Sequence, residues 1–268
     1  MTTHAPDSNP SPKGGIAPLC NPPGDPLKIA LLSDVHGNLP AFRAVLAAVE
    51  ASEADAVWFL GDLVGYGANP DECVELAAER CDLCLAGNHD LGVLDRIDIA
   101  DFSPPAAVAA LWTREQAGAA TLEFLGGLEP SRGGEAIGLF HASPRDPVWE
   151  YVLSTSQAEG CMDEMEDRVT AIGHTHVALR FTRAEGEIDG EAMPDGGECD
   201  LSEGEWLLNP GSVGQPRDGD PRAAWLLLDT ESWSAEWRRT DYPIEQAVDA
   251  IAAAGLPASL GKRLYIGQ

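Results

Sequence analysis

The segment Leu31–Asn38, LLSDVHGN, is an apolar run that stops abruptly at Asp34, His36 and Gly37. Four later apolar runs end in the same kind of residue. Ala56–Leu60 runs into Gly61-Asp62, and Asp82–Ala86 into Gly87-Asn88-His89-Asp90. Ala136–Phe140 runs into His141, and Val169–Ile172 into Gly173-His174-Thr175-His176. The chain has six histidines, and apart from His4 every one falls at such an end. Scattered core histidines have no reason to do this. Each run has the length and composition of a buried strand. In an extended segment residues two apart share a side, so Asp34 and His36 are expected to be presented together at the mouth of a sheet.

Between the first runs lie helical patterns. Pro40–Ala51 carries apolar residues at Phe42, Val45, Leu46 and Val49, with proline in its first turn. A second helix is expected from Asn69-Pro70 to about Glu79. Strand, helix, strand, helix, strand implies parallel strands joined by crossover helices. Open α/β sheets bind ligands outside the C-terminal ends of such strands, where these polar residues fall. Helices are expected over Pro104–Gln116, Ala119–Leu125 and Ser156–Glu166. Ala178–Trp206 reads as a hairpin with a long acidic loop, followed by strands at Ala223–Leu228 and Ser232–Arg238 and a helical piece over Ile244–Leu264. The strands after His176 are expected to be antiparallel and to form a second sheet. The expected fold class is α/β, an α/β/β/α sandwich of two mixed sheets with helices outside. Residues 1–26, with seven prolines, read as a flexible leader, and 27–268 as a single domain.

Composition narrows the function. Asp and Glu number 44 against 17 Lys and Arg, a formal net charge of −27. A surface this acidic repels long nucleic acid and anionic membranes. It suits a highly soluble protein or one adapted to high salt. No apolar run approaches the roughly 18 residues of a membrane span. The first residues lack a basic start followed by an apolar stretch, so a signal peptide is not expected and the protein is read as cytoplasmic. There the six cysteines are expected to be reduced. Cys81 and Cys84 form a CxxC within a segment that reads as a strand. Positions three apart on a strand face opposite sides, whereas a redox pair opens a helix.

Carboxylate, carboxamide and imidazole without thiolate form a donor set for borderline divalent ions: Mn, Fe, Co, Ni or Zn. Asp34-x-His36, Gly61-Asp62, Gly87-Asn88-His89-Asp90, His141 and Gly173-His174-x-His176 occur in that order. They resemble the five motifs of the calcineurin-like metallophosphoesterases, in a compact bacterial or archaeal form. Asn209–Arg217 and the C-terminal helical piece are also similar to one bacterial subgroup. The resemblance implies one metal held by Asp34, His36, Asp62 and His176. It implies a second held by Asp62, Asn88, His141 and His174, with Asp62 bridging. It further implies hydrolysis of a small phosphomonoester or phosphodiester by a metal-bridging hydroxide. His89 would then be the general acid or charge stabiliser, oriented by Asp90 or another carboxylate.

Three residues are candidates for contacting substrate. Arg217 follows an Asn-Pro-Gly-Ser loop and is placed to fork onto a phosphate, the alternative being an ion pair with Asp218 or Asp220. Tyr66 and Asn38 are candidates for lining the cleft. Two departures weaken a protein Ser/Thr phosphatase reading. The Asp-Arg-Gly that follows the second-motif Asp in those enzymes is replaced by Val64-Gly65-Tyr66-Gly67, and their Asn-His-Glu ends here as Asn88-His89-Asp90. A catalytically silent metal- or phosphate-binding scaffold is the competing reading. Its usual mark, loss of a ligand or of the catalytic histidine, is missing here.

Overall fold

The computed structural model describes residues 27–133 and 137–268. The leader expected over 1–26, with His4, lies outside them. In chain order the elements are β1 (Lys28–Leu32), α1 (Leu39–Glu50), β2 (Ala56–Phe59), α2 (Pro70–Arg80), β3 (Leu83–Cys84) and α3 (Asn88–Val93). Next come α4 (Pro104–Gln116), α5 (Ala119–Gly126), β4 (Ser131–Arg132), β5 (Ile137–Phe140), α6 (Thr155–Met162) and β6 (Val169–Ala171). The chain continues through β7 (Ala178–Ala184), β8 (Glu187–Ala192), β9 (Glu198–Asp200) and β10 (Glu205–Pro210). It ends with β11 (Ala223–Asp229), β12 (Ser234–Thr240), α7 (Ile244–Ala253) and α8 (Ala258–Leu264).

Two six-stranded mixed sheets result, ordered β3-β2-β1-β11-β12-β9 and β4-β5-β6-β10-β7-β8. β1, β2 and β3 run parallel, as do β5, β6 and β10. β1 shows why the strands read as continuous apolar runs. Ile29 and Leu31 pack between the sheets with Leu139, Ala171, Leu208 and Trp237. Ala30 and Leu32 pack on the other side with Phe42 and Val45 of α1 and Ile251 of α7. A strand buried on both faces shows no polar alternation. On the outer face of the second sheet, Leu207 and Phe181 pack against Ala158, Cys161 and Met162 of α6. This is the expected helix–sheet–sheet–helix sandwich, with the sheets stacked face to face.

Several local expectations change. The later strands do not form a separate sheet. β11 pairs antiparallel with β1 and joins the first sheet, while β10 inserts between β6 and β7. The acidic segment is a β7–β8 hairpin followed by β9, which leaves to pair with β12 across the sandwich. Glycine-rich acidic sequence carries little strand signal, so this excursion is set by the partner strand rather than by local propensity. The C-terminal helical piece breaks at Gly255, whose φ is 70°, and Pro257 then starts α8. The cysteine geometry is also corrected. Cys81 caps the C-terminus of α2 and Cys84 lies on β3. The neighbouring Cys81 thiol and burial together push the Cys84 thiol up. The end of a helix lacks the N-terminal dipole that lowers a redox thiol.

Candidate metal centre

The turns after the strands are bonded to one another. The backbone N–H groups of Asp34, His36 and Gly37 donate to the carbonyls of Gly61, Asp62 and Leu63. Gly173 N–H donates to His141 O, and Gly214 N–H to Asp34 O. Asp34, His36, Asp62, Tyr66, His174 and His176 all sit in the left-handed region, with φ between 51° and 63°. Each such residue costs on the order of 1 kcal/mol, less for Asp and His than for branched side chains. The strain is concentrated where side chains must be turned sharply off a strand end. Asp34 and His36 therefore meet through two left-handed turns, not through the extended alternation expected from sequence.

Seven buried side chains converge. Ligand-type atoms of Asp34, His36, Asp62 and His176 lie within 4.8 Å of one another, as do those of Asp62, His141 and His174. His176 Nε2 is 3.2 Å from Asp34 Oδ1, and His36 Nε2 is 3.5 Å from Asp62 Oδ2. His141 Nε2 is 3.7 Å from Asp62 Oδ2 and 3.1 Å from Asn88 Oδ1. Metal bonds of about 2.1 Å at 90–110° separate neighbouring ligands by roughly 3.0–3.4 Å, close to these spacings.

The proton positions strengthen the fit. The Nδ1–H groups of His36, His141 and His176 donate to the carbonyls of Val64, Leu60 and Gln215, at 3.1, 2.9 and 2.7 Å. A carbonyl only accepts, so each ring carries its proton on Nδ1 and turns the Nε2 lone pair inward. His36 Nε2 and His176 Nε2 then face each other at 3.1 Å with no proton between them. Asp34 Oδ1, Asp62 Oδ2 and His174 Nε2 are buried without a hydrogen-bond partner among the described residues. Buried acceptors facing acceptors are costly unless a cation lies between them. The donor set and its orientation fit divalent metal.

Charge tells the same story. Burial pushes His36, His141, His174 and His176 down, the last to about 3, with Arg217 adding to the shift of His176. Asp62 goes the other way: burial, Asp90 and Asp34 raise it well above normal. Three carboxylates this close need a cation to remain ionised together. In the metal-free protein, unfolding frees the histidines to bind protons near pH 6.5, while the folded rings resist protonation. The unfolded state thus binds more protons below pH 6.5, and stability falls as pH drops from 6.5 toward 3. Asp90, raised to about 6 chiefly by burial, works in the opposite sense between pH 6 and 3.8, as does Asp62. The histidines outnumber them. Melting of the EDTA-treated protein in 1 M salt, which screens surface repulsion, should therefore show a lower Tm at pH 5 than at pH 7. An unchanged or higher Tm would contradict this balance.

Supporting residues hold the centre in place. Asp90 does not orient His89. Its carboxylate accepts from the backbone N–H groups of Asp62, Leu63, Val64 and Gly87, at 2.9–3.3 Å. It thereby ties the second motif to the third. Asp90→Ala leaves these buried donors unpaired and should cost about 3 kcal/mol or more in denaturant unfolding; a loss under 1 kcal/mol would deny the carboxylate that role. Gly87 is required by proximity, because a Cβ there would lie 2.0 Å from Asp62 Oδ1. The Asn-Pro-Gly-Ser loop acts as a strap. Asn209 Nδ2 donates to Gly173 O and Thr175 Oγ1, and Ser212 Oγ donates to Asp34 O.

The other candidates separate. The His89 ring lies 4.4 Å from that of Tyr66, 4.6 Å from Phe102 and 4.8 Å from His36, and its backbone N–H donates to Asp62 Oδ1. Arg217 donates to Tyr66 Oη at 3.3 Å and Gln215 Oε1 at 3.0 Å. It does not pair with Asp218 or Asp220, which are taken by Arg239 and Arg222. Tyr66 and Asn38 both border the cavity beside the cluster, and the polar atoms of Asn38 are engaged within the fold. Its Oδ1 caps α1 at Ala41, and its Nδ2 donates to Gly214 O and Tyr242 Oη. Sequence reading missed Arg263, whose guanidinium lies 5.9 Å from the centre of the Tyr66 ring. It also missed Tyr151, whose ring lies 4.2 Å from that of His174. Neither carries a local motif, so no signal marked them.

The family model described as the calcineurin-like phosphoesterase superfamily domain matches residues 27–232. The chain belongs to that superfamily. It is 36% identical over 251 residues to the uncharacterised protein MJ0912 of Methanocaldococcus jannaschii, spanning 90% of this chain and 98% of the relative. Among solved structures it is similar to a metallophosphoesterase from Sphaerobacter thermophilus, with a TM-score of 0.83 and 36% identity over 91% of this chain and all of that one. The fold is shared with hypothetical protein PH1004 of Pyrococcus horikoshii, with a TM-score of 0.74 and 21% identity over 90% and 98% of the two chains. Superfamily and buried Asp/His cluster together point to a metal-binding phosphoester hydrolase. Among the described residues, no helix is long and apolar enough to cross a membrane.

Proposed function

We propose that the protein hydrolyses a small phosphomonoester or phosphodiester at a binuclear divalent metal centre. The observation that carries this reading is the sharing of Asp62 by two adjoining donor groups whose lone pairs face one another. Asp34, His36, Asp62 and His176 would hold one ion, and Asp62, Asn88, His141 and His174 the other. Two such ions supply an activated water and a clamp for phosphoryl oxygens during in-line displacement at phosphorus.

The chain's own residues do the rest. Backbone carbonyls fix the imidazole tautomers, so the donors are pre-oriented before any ion arrives. Arg217, beside the His176 turn, is set to receive a phosphoryl oxygen, with Tyr66 Oη and Gln215 fixing its fork. His89, held in an aromatic slot, is set to donate a hydrogen bond where negative charge develops on the leaving oxygen. The test is turnover of p-nitrophenyl phosphate and bis-p-nitrophenyl phosphate with Mn, Fe, Co, Ni or Zn. The reading expects hydrolysis of at least one ester, abolished by chelation and restored by metal. No hydrolysis of either with any metal would favour the silent scaffold.

A further inference from the structure

Eight described arginines, at 80, 114, 145, 180, 183, 222, 238 and 239, have a carboxylate within 4.0 Å. That is the default in a chain with 44 acidic and 17 basic residues. Arg43, Arg96, Arg168, Arg217 and Arg263 have no such partner among the described residues, and of these Arg217 and Arg263 share one aromatic ring beside the metal cluster. Arg217 donates only to a phenol and a carboxamide through its side chain, and its Nε is buried without a partner among the described residues. Arg263, on α8, donates its Nε to Gln268 O at 2.5 Å and has no Asp or Glu partner among the described residues. The two guanidinium carbons lie 5.8 and 5.9 Å from the centre of one ring, that of Tyr66. That ring also lies 4.7 Å from His36 of the metal cluster.

Two like charges held half-buried about a single side chain repel each other. Burial and then Arg217 both act to lower the Arg263 pKa. Among the described residues no Asp or Glu side chain pairs with either arginine. An anion bound by both would offset the repulsion. Arg217 is the nearer to the cluster, since its backbone N–H donates to His176 O at 3.0 Å. Arg263 reaches the same ring from α8, a helix whose Leu260 and Leu264 line the cavity between the cluster and the C-terminal helices. The pair therefore extends the positive region away from the metals toward that wall.

From this geometry we infer that Arg217 and Arg263 form a clamp for a second phosphoryl group, so that the substrate is an organic diphosphate or longer polyphosphate ester. This rests on the metal-centred reading above. One phosphoryl group would lie at the cluster and the next between the two guanidiniums, each of which presents a planar fork to phosphate oxygens.

The test is calorimetric titration of the Mn-loaded full chain with methylenediphosphonate and with methylphosphonate. Diphosphonates also chelate metal directly, so the readout is the change in preference on substitution. Arg263→Gln should reduce the preference for the diphosphonate about tenfold, with metal content unchanged, and Arg263→Lys should recover part of it. A preference within twofold of wild type in Arg263→Gln would overturn the inference. So would equal dependence on Arg263 for phosphonoacetate, whose second anion is a carboxylate. The outcomes stay separable from the parent reading. A wild type that hydrolyses the nitrophenyl esters but shows no Arg263-dependent preference loses only the clamp, whereas one that hydrolyses neither with any metal loses the metal-centred reading itself.

Discussion

Asp62→Ala is expected to empty both metal positions at once and to lower turnover by at least about 10³-fold, since metal stabilisation of the transition state is worth several kcal/mol. Asp62 is the one residue common to both donor groups. Its Oδ1 is committed to His89 N–H, while Oδ2 faces His36 and His141 with no donor of its own. Asp34→Ala and His141→Ala each strip one group only, and should leave about one ion per chain. The contrast between one and none is read by elemental analysis after dialysis. A second consequence runs against intuition. Without metal, Asp62 is a buried carboxylate crowded by Asp90 and Asp34, its pKa raised first by burial and then by them. Keeping it ionised at pH 7 destabilises the folded chain. Asp62→Asn retains an acceptor for His89 N–H and removes the charge, so in EDTA it should melt above wild type. A variant that melts lower and keeps both ions would deny Asp62 the bridging role.

His89→Ala should do the reverse, keeping the metal and losing the chemistry. The ring contributes no atom to either donor group, and its Nδ1 has no partner among the described residues. Burial, followed by the charges of His36 and Arg217, pushes its pKa well below the ordinary value. A ring held neutral donates a hydrogen bond more readily than it releases a proton, which favours the charge-stabilising role over the general acid. Loss of a positioned group of this kind costs about 10²–10⁴-fold in kcat. Metal content measured on the same sample should match wild type. Turnover retained at saturating metal would remove His89 from the mechanism.

The site was more legible than the path of the chain. Asp34, His36, Asp62, Asn88, His141, His174 and His176 announce themselves because each interrupts an apolar run, and burial of the strand carries the polar residue inward with it. What sequence hid is long-range. β9 leaves its hairpin for the other sheet because β12 offers an open edge, a pairing with no local trace. Arg263 lies on a short helix 46 residues beyond Arg217, and only the tertiary fold brings both to Tyr66. Asp90 follows His89 in sequence and so reads as its orienting group, and Asn38 reads as a cleft residue, yet the structural duty of each has no local mark. Both spend their oxygens on backbone N–H groups, which must be satisfied where turns are buried. Cys81 and Cys84 read as one strand for a related reason, since a helix end and a strand start lie within three residues.

The most direct measurement is the number of divalent ions bound per chain after saturation with Mn and removal of free metal. Two equivalents, falling to about one in Asp34→Ala and none in Asp62→Ala, is the result expected of a pair of cations joined through one carboxylate. A wild-type chain that retains no ion, or one whose single ion survives the loss of Asp62, would contradict it.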